Sequence, residues 1–148
     1  MTASMLLPTL ALFASGMPAP AAASPAVQDT VYRVGEFNQI DANHWAQGRI
    51  AIFRTAEGAL VLAFAEEFAA ADGPDLYVVL STHEAPTRGR DLGDYVELKS
   101  LVQTSGAQVF VIPESVDPTT VGSVVIYCKR FDVLFSVASL STPGASDT

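Results

Sequence analysis

The residue best placed to do chemistry is Cys128, in the run Ser123-Val-Val-Ile-Tyr-Cys-Lys-Arg130. A thiolate, not a thiol, is the nucleophile and metal ligand, and adjacent cations such as Lys129 and Arg130 favour it. Strand alternation opposes that pairing: Val124, Ile126 and Cys128 fall on one face, and Ser123, Val125, Tyr127 and Lys129 on the other. Cys128 is expected to point inward near the end of its strand. It is then either a small buried hydrophobe or the floor of a small pocket. It is the sole cysteine of the chain, so three fates remain: an inert thiol, a bridge making a dimer through Cys128, or a thiol with a task. One cysteine cannot build a C-x-x-C redox motif or a C-x-x-C-H haem attachment.

The two histidines, His44 and His83, add imidazole, the commonest metal ligand among side chains. A haem would need axial ligands from His44, His83, Cys128 or a tyrosine, and Cys128 with His44 is the pair to test. Tyr127 and Trp45, their neighbours in sequence, are the candidate pocket residues. His44 beside Trp45 also reads as a packed structural residue, and His83 as a solvated one. Glu66, Glu67, Asp72 and Asp75 lack the alternating ligand spacing of a calcium loop, so no metal site is expected there. There is no G-x-S-x-G, H-E-x-x-H, P-loop or dinucleotide fingerprint. No acid–base or nucleophile–base pair can be assembled from spacing, so no catalytic residue is assigned and turnover is the least supported reading.

The elements that would position these residues are short β-rich runs separated by Gly, Pro, Asp and Asn, the spacing of an all-β antiparallel sandwich or barrel. Strands are predicted at Arg49–Arg54 and Leu60–Phe64, joined as a hairpin, and at Leu76–Ser81, Tyr95–Leu98, Gln108–Ile112, Ser123–Cys128 and Val133–Leu140. Glu66–Ala71 reads as one helical turn. Thr82–Asp94 and Pro113–Gly122 read as surface loops, and Lys129–Asp132 as a tight turn. With 148 residues, 49% of them hydrophobic and 16% charged, one domain is expected. Sixteen acidic residues against eight basic ones give a formal charge of −8, which repels phosphate backbones and argues against nucleic acid as a partner.

Residues 1–24 resemble a secretory signal peptide: an apolar run from Met5 to Gly16, then Ala21 and Ala23 before Ser24. The first basic residue is Arg33, so the leader lacks the usual positive n-region. The run is too short to span a membrane, so a secreted or periplasmic protein, not integral to the membrane, is expected. Residues 25–34 read as a linker, 35–140 as the β domain and 141–148 as a flexible tail. All three methionines lie in the leader, so cleavage would remove any Met ligand.

Several segments together resemble the DM-thirteen domain family. They are Gly35-Glu36-Phe37, His44 with Gly48, Gly73-Pro74-Asp75-Leu76-Tyr77-Val78-Val79-Leu80-Ser81, Leu98-Lys99-Ser100-Leu101, Gly106-Ala107-Gln108, Ile112-Pro113 and the block from Ser123 to Phe131 continuing through Val133-Leu134-Phe135. The match spans roughly Gly35 to Leu140. The resemblance implies an all-β fold and an electron-transfer role in which the single cysteine is a bare thiol or helps hold a group such as haem. It implies a redox partner protein. Tyr127 stands where the family usually has tryptophan, and Ser136 where glycine is frequent. The alternative is a non-catalytic extracellular module with Cys128 in its core, whose two long loops bind a protein or glycan.

Overall fold

The computed structural model describes Gly16 and residues 28–144; the leader assigned to residues 1–24 lies outside them, Gly16 apart. The described chain folds into eleven strands: β1 (Thr30–Glu36), β2 (Asn38–Gln39), β3 (Ala46–Gln47), β4 (Arg49–Arg54), β5 (Leu60–Phe64), β6 (Ala69–Ala70), β7 (Leu76–Ser81), β8 (Tyr95–Ser100), β9 (Gln108–Val111), β10 (Ser123–Cys128) and β11 (Val133–Ser141). The main sheet runs β8-β7-β10-β11-β1-β4-β5-β9, with β2 on β11, while β3 and β6 pair separately. Every pairing is antiparallel. The end strands β8 and β9 approach without pairing and leave a slot lined by Leu98, Lys99 and Phe110. The result is a nearly closed all-β sandwich or barrel.

Closure depends on β11. Its residues from Val133 to Ser139 pair with β10, and Leu140 and Ser141 pair with β1, so one strand belongs to both halves of the sheet. Register shifts at Ile126/Tyr127, Val31/Arg33 and Val78/Val79 bend and twist the ladder where it must curl. β1 begins at Thr30, inside the stretch read as a linker, and sits between β11 and β4.

The inner face carries Ile50, Ile52, Leu62, Val78, Val124, Ile126 and Cys128 in one core cluster. Phe37, Phe64 and Phe68 close one end of it, with Phe37–Phe64 ring centroids 5.2 Å apart edge to face and Phe64–Phe68 4.5 Å apart. The segment read as a helical turn is instead a hydrogen-bonded turn, Phe68 N–H donating to the Ala65 carbonyl, followed by β6. Its alanines pair with β3 and its Phe68 is drawn into the core, which leaves no length for a helix.

A second, smaller cluster forms on the outer face, where Val79, Val125 and Leu134 are covered by Leu92 from the Thr82–Asp94 loop. The Leu92 carbonyl accepts from Ser81 Oγ at 2.7 Å, so the loop is tied down beside the strand it covers. Both long loops also hold a short 3-10 turn, Gly89–Asp91 and Pro118–Thr120.

Gly48 has φ +114, and a Cβ there would meet the Phe68 backbone at 2.8 Å. Gly58 has φ +95 with open space around it. Gly48→Ala is therefore expected to lose about 1–3 kcal/mol of stability, and Gly58→Ala less. Equal shifts of the two denaturation midpoints would show that the contact with Phe68 carries no weight.

Candidate functional site

Cys128 lies at the end of β10, 0% exposed, paired in register with Leu76 on β7 and Val133 on β11. Its two neighbouring cations do not reach it. Lys129 turns to the outer face, where its ammonium meets Glu97 Oε2 at 3.0 Å and sits 4.4 Å from the Tyr77 ring centre. The bond to Glu97 raises the Lys129 pKa and commits its charge there. Arg130 is exposed in the turn. A disulfide needs two sulfurs at bonding distance, and a side chain with no exposed surface offers a second copy no such approach.

His44 is held by Asp41, whose carboxylate oxygens lie 2.7 and 2.9 Å from Nδ1. This bond and those from the Asn43 and His44 backbone lower the Asp41 pKa. The imidazole stands edge-on to Phe135, ring centres 4.8 Å apart. The space around Gly73 shows Phe135 and Leu76 side by side, and Leu76 is the strand partner of Cys128. His44 and Cys128 therefore sit at the same end of the fold, joined by a contact path through Phe135 and Leu76. Trp45 stands apart from them in role: its carbonyl accepts from Ala71 N–H at 2.9 Å and anchors the small β3/β6 sheet. His83 is exposed, and its carbonyl accepts from Ser123 Oγ at 2.6 Å.

A haem between Cys128 and His44 would have to displace packed side chains. Concavities of about 620, 310 and 270 Å³ are lined by neither residue. The largest is walled by groups such as Val34, Ala51, Ala63 and Phe64, with no imidazole, thiol or phenol. The residues present do not fit a haem at this site.

Sequence reasoning placed Tyr127 near Cys128 but missed its partner. Tyr127 projects to the opposite face, next to Tyr77 across the β7/β10 ladder, and its hydroxyl donates to Asp132 Oδ1 at 2.7 Å. Asp132 adopts φ 51 in the turn to β11, and Gly89 packs against both groups. The hydrogen bond to Asp132, then burial, pushes the phenol up to about 12. Alternation put Tyr127 on the outer face, and aspartate is among the few residue types besides glycine that take a left-handed turn, but no local pattern announced that this turn would aim the Asp132 carboxylate at the phenol. Ser136, where the resembling family often has glycine, is fully buried and donates to the Asn38 carbonyl at 2.6 Å, so its hydroxyl pins β2 to β11.

An antiparallel β domain with one enclosed cysteine defines the class. The family model described as "Electron transfer DM13" matches residues 36–140, and the chain belongs to that family. No curated protein and no solved structure matches it.

The Tyr127–Asp132 bond carries an alkaline signature. The folded phenol ionises near 12 against an ordinary 10, so between these values the unfolded chain binds fewer protons and stability falls as pH rises. Asp132→Asn should reduce that fall and shift one tyrosine downward toward ordinary titration, with burial still holding it somewhat high, followed by ultraviolet absorbance. An unchanged tyrosine titration curve would contradict the assignment.

Proposed function

We propose that this chain is an exported electron-transfer domain, secreted or periplasmic, in which Cys128 is the redox group and works as a bare thiol. The family supports a redox-related role, and the observation that carries the finer reading is the enclosure of the sole cysteine at the rim of the core. Thiol–disulfide exchange requires a thiolate to touch the sulfur under attack, so a thiol enclosed in this way does not take part in exchange while the fold stays closed. Enclosure also keeps the sulfur off the irreversible steps of the oxidation ladder, which follow exposure. The leader pattern supports export, and a partner redox protein would receive or supply the electron.

A second reading has its own observation. A concavity of about 310 Å³ lies between the two long loops, edged by Thr82, Asp94, Tyr95, Ser115, Asp117 and Thr120 over an apolar floor. Such a surface suits a non-catalytic module that binds a protein or glycan, with Cys128 as core.

One experiment separates the two. Under both readings Cys128 of the folded protein should resist a thiol reagent, with denaturant releasing one reactive thiol, so the redox titration is the measurement that discriminates. Redox titration of the intact protein should then show an event that both Cys128→Ala and Cys128→Ser lack. The serine variant is expected to be less stable by about 1–3 kcal/mol, since its hydroxyl enters an apolar site. Unchanged titrations in both variants would leave the binding reading in possession.

A further inference from the structure

We propose that Tyr127 is the outlet through which this domain gives up an electron, its phenolic proton passing to the Asp132 carboxylate in the same step. The inference rests on the electron-transfer reading but does not require Cys128 to be the redox group.

The sequence has four tyrosines, and among the described residues only Tyr127 donates its hydroxyl to a carboxylate. Tyr32 is a hydrogen-bond partner of Arg54, a cation that accepts no proton. The Tyr77 ring lies beneath the Lys129 ammonium, whose charge opposes removal of an electron. Tyr95 is half-exposed and, among the described residues, donates to no carboxylate. Asp132, by contrast, enters no ion pair among the described residues, so its charge is free to take up a proton. It is exposed to solvent, where that proton can be exchanged.

The surroundings suit the step. The Tyr127 ring packs against the outer cluster of Val79, Leu92, Val125 and Leu134, while its hydroxyl reaches the rim. Gly89 brings the loop backbone so close that a Cβ would strike both the hydroxyl and the carboxylate, and this keeps the pair in register. The phenol is held in its neutral form up to about pH 12. Phenolate is therefore not the species oxidised near neutrality, and the proton must leave with the electron.

The acceptor is a strongly oxidising, high-potential one-electron metal centre of a partner protein. It gains one electron and drops one oxidation state. The Tyr127 O–H bond breaks, an O–H bond forms on Asp132, and the products are a neutral tyrosyl radical and a carboxylic acid. One electron from a reduced metal centre of a second partner protein, such as a ferrous or cuprous site, restores the pair: the O–H bond on Asp132 breaks and that on Tyr127 re-forms.

The test uses the full chain and photogenerated tris(bipyridine)ruthenium(III) as the oxidant, with flash kinetics and electron paramagnetic resonance as readouts. The wild-type protein should form a tyrosyl radical, and more slowly in heavy water. Tyr127→Phe should remove that signal, and Asp132→Asn should slow its formation about tenfold or more, equivalent to at least about 1.4 kcal/mol in the barrier. Tyr95→Phe should change nothing. A signal that survives Tyr127→Phe, or a rate indifferent to both heavy water and Asp132→Asn, overturns the proposal. The heavy-water comparison needs no variant, so misfolding of Asp132→Asn cannot rescue it. Cys128→Ala separates this inference from the thiol reading: loss of the redox event there with an intact signal in Tyr127→Phe sinks the outlet alone. The converse sinks the thiol alone.

Discussion

The rest of the molecule is arranged around one constraint: strand β10 is covered on both faces. From Ser123 to Cys128 every residue but Tyr127 is buried. A strand covered on one side alone would leave Val125 in water. Here the barrel interior covers Val124, Ile126 and Cys128, and Leu92 from the long loop covers Val125. Burying side chains of this size is worth roughly 1.5–3 kcal/mol each. Ser123 and Ser81, polar residues at the loop end of the same ladder, turn their hydroxyls to loop carbonyls and so pin the covering loop. The strand most β-prone in sequence is thus the one to which both layers are attached.

Charge is kept off this centre. Among the described residues no charged residue is buried, and the cations nearest Cys128 in sequence are engaged or exposed elsewhere. Lys129 illustrates the division: its backbone N–H ties β10 to the Asp75 carbonyl at 3.1 Å, while its ammonium faces outward to Glu97. Exposed pairs of this sort contribute little to stability, about 0–1 kcal/mol. Their effect at this site is to settle where charge is absent, and that is the environment of the sulfur.

Strand positions were legible where alternation and turn chemistry agreed. β4, β5, β7 and β10 have the boundaries that β-branched runs and flanking Gly, Pro and Asp imply. The inward position of Cys128 followed from the same period of two. β1 was obscured because Thr30-Val-Tyr-Arg-Val-Gly-Glu36 mixes polar and apolar residues around a register shift at Val31/Arg33, which breaks the alternation. β3 and β6 are two residues each and exist through pairing with one another, which no local pattern announces. The alanines of β6 have helix propensity, and tertiary pairing overrode it. At the site, the sequence held the parts but not their meeting: Tyr127 and Asp132 are brought together by a left-handed residue, and His44 and Cys128 are separated by Phe135 and Leu76.

The adjacency of Tyr127 and Cys128 acquires its sense from the pleat. Successive residues of a strand face opposite ways, so these two side chains stand on either side of one sheet, one buried and one partly exposed. Where the outer cover thins at the end of β10, the pleat leaves Cys128 buried and Tyr127 partly open. Transfer across the sheet would then pass through the backbone linking two consecutive residues, the shortest covalent route between core and surface that a strand provides. The turn from Lys129 to Asp132 completes the arrangement by returning a carboxylate to the outer member of the pair. The same turn sends β11 back along β10, and the closure of the fold and the placement of the proton acceptor therefore depend on one four-residue connection.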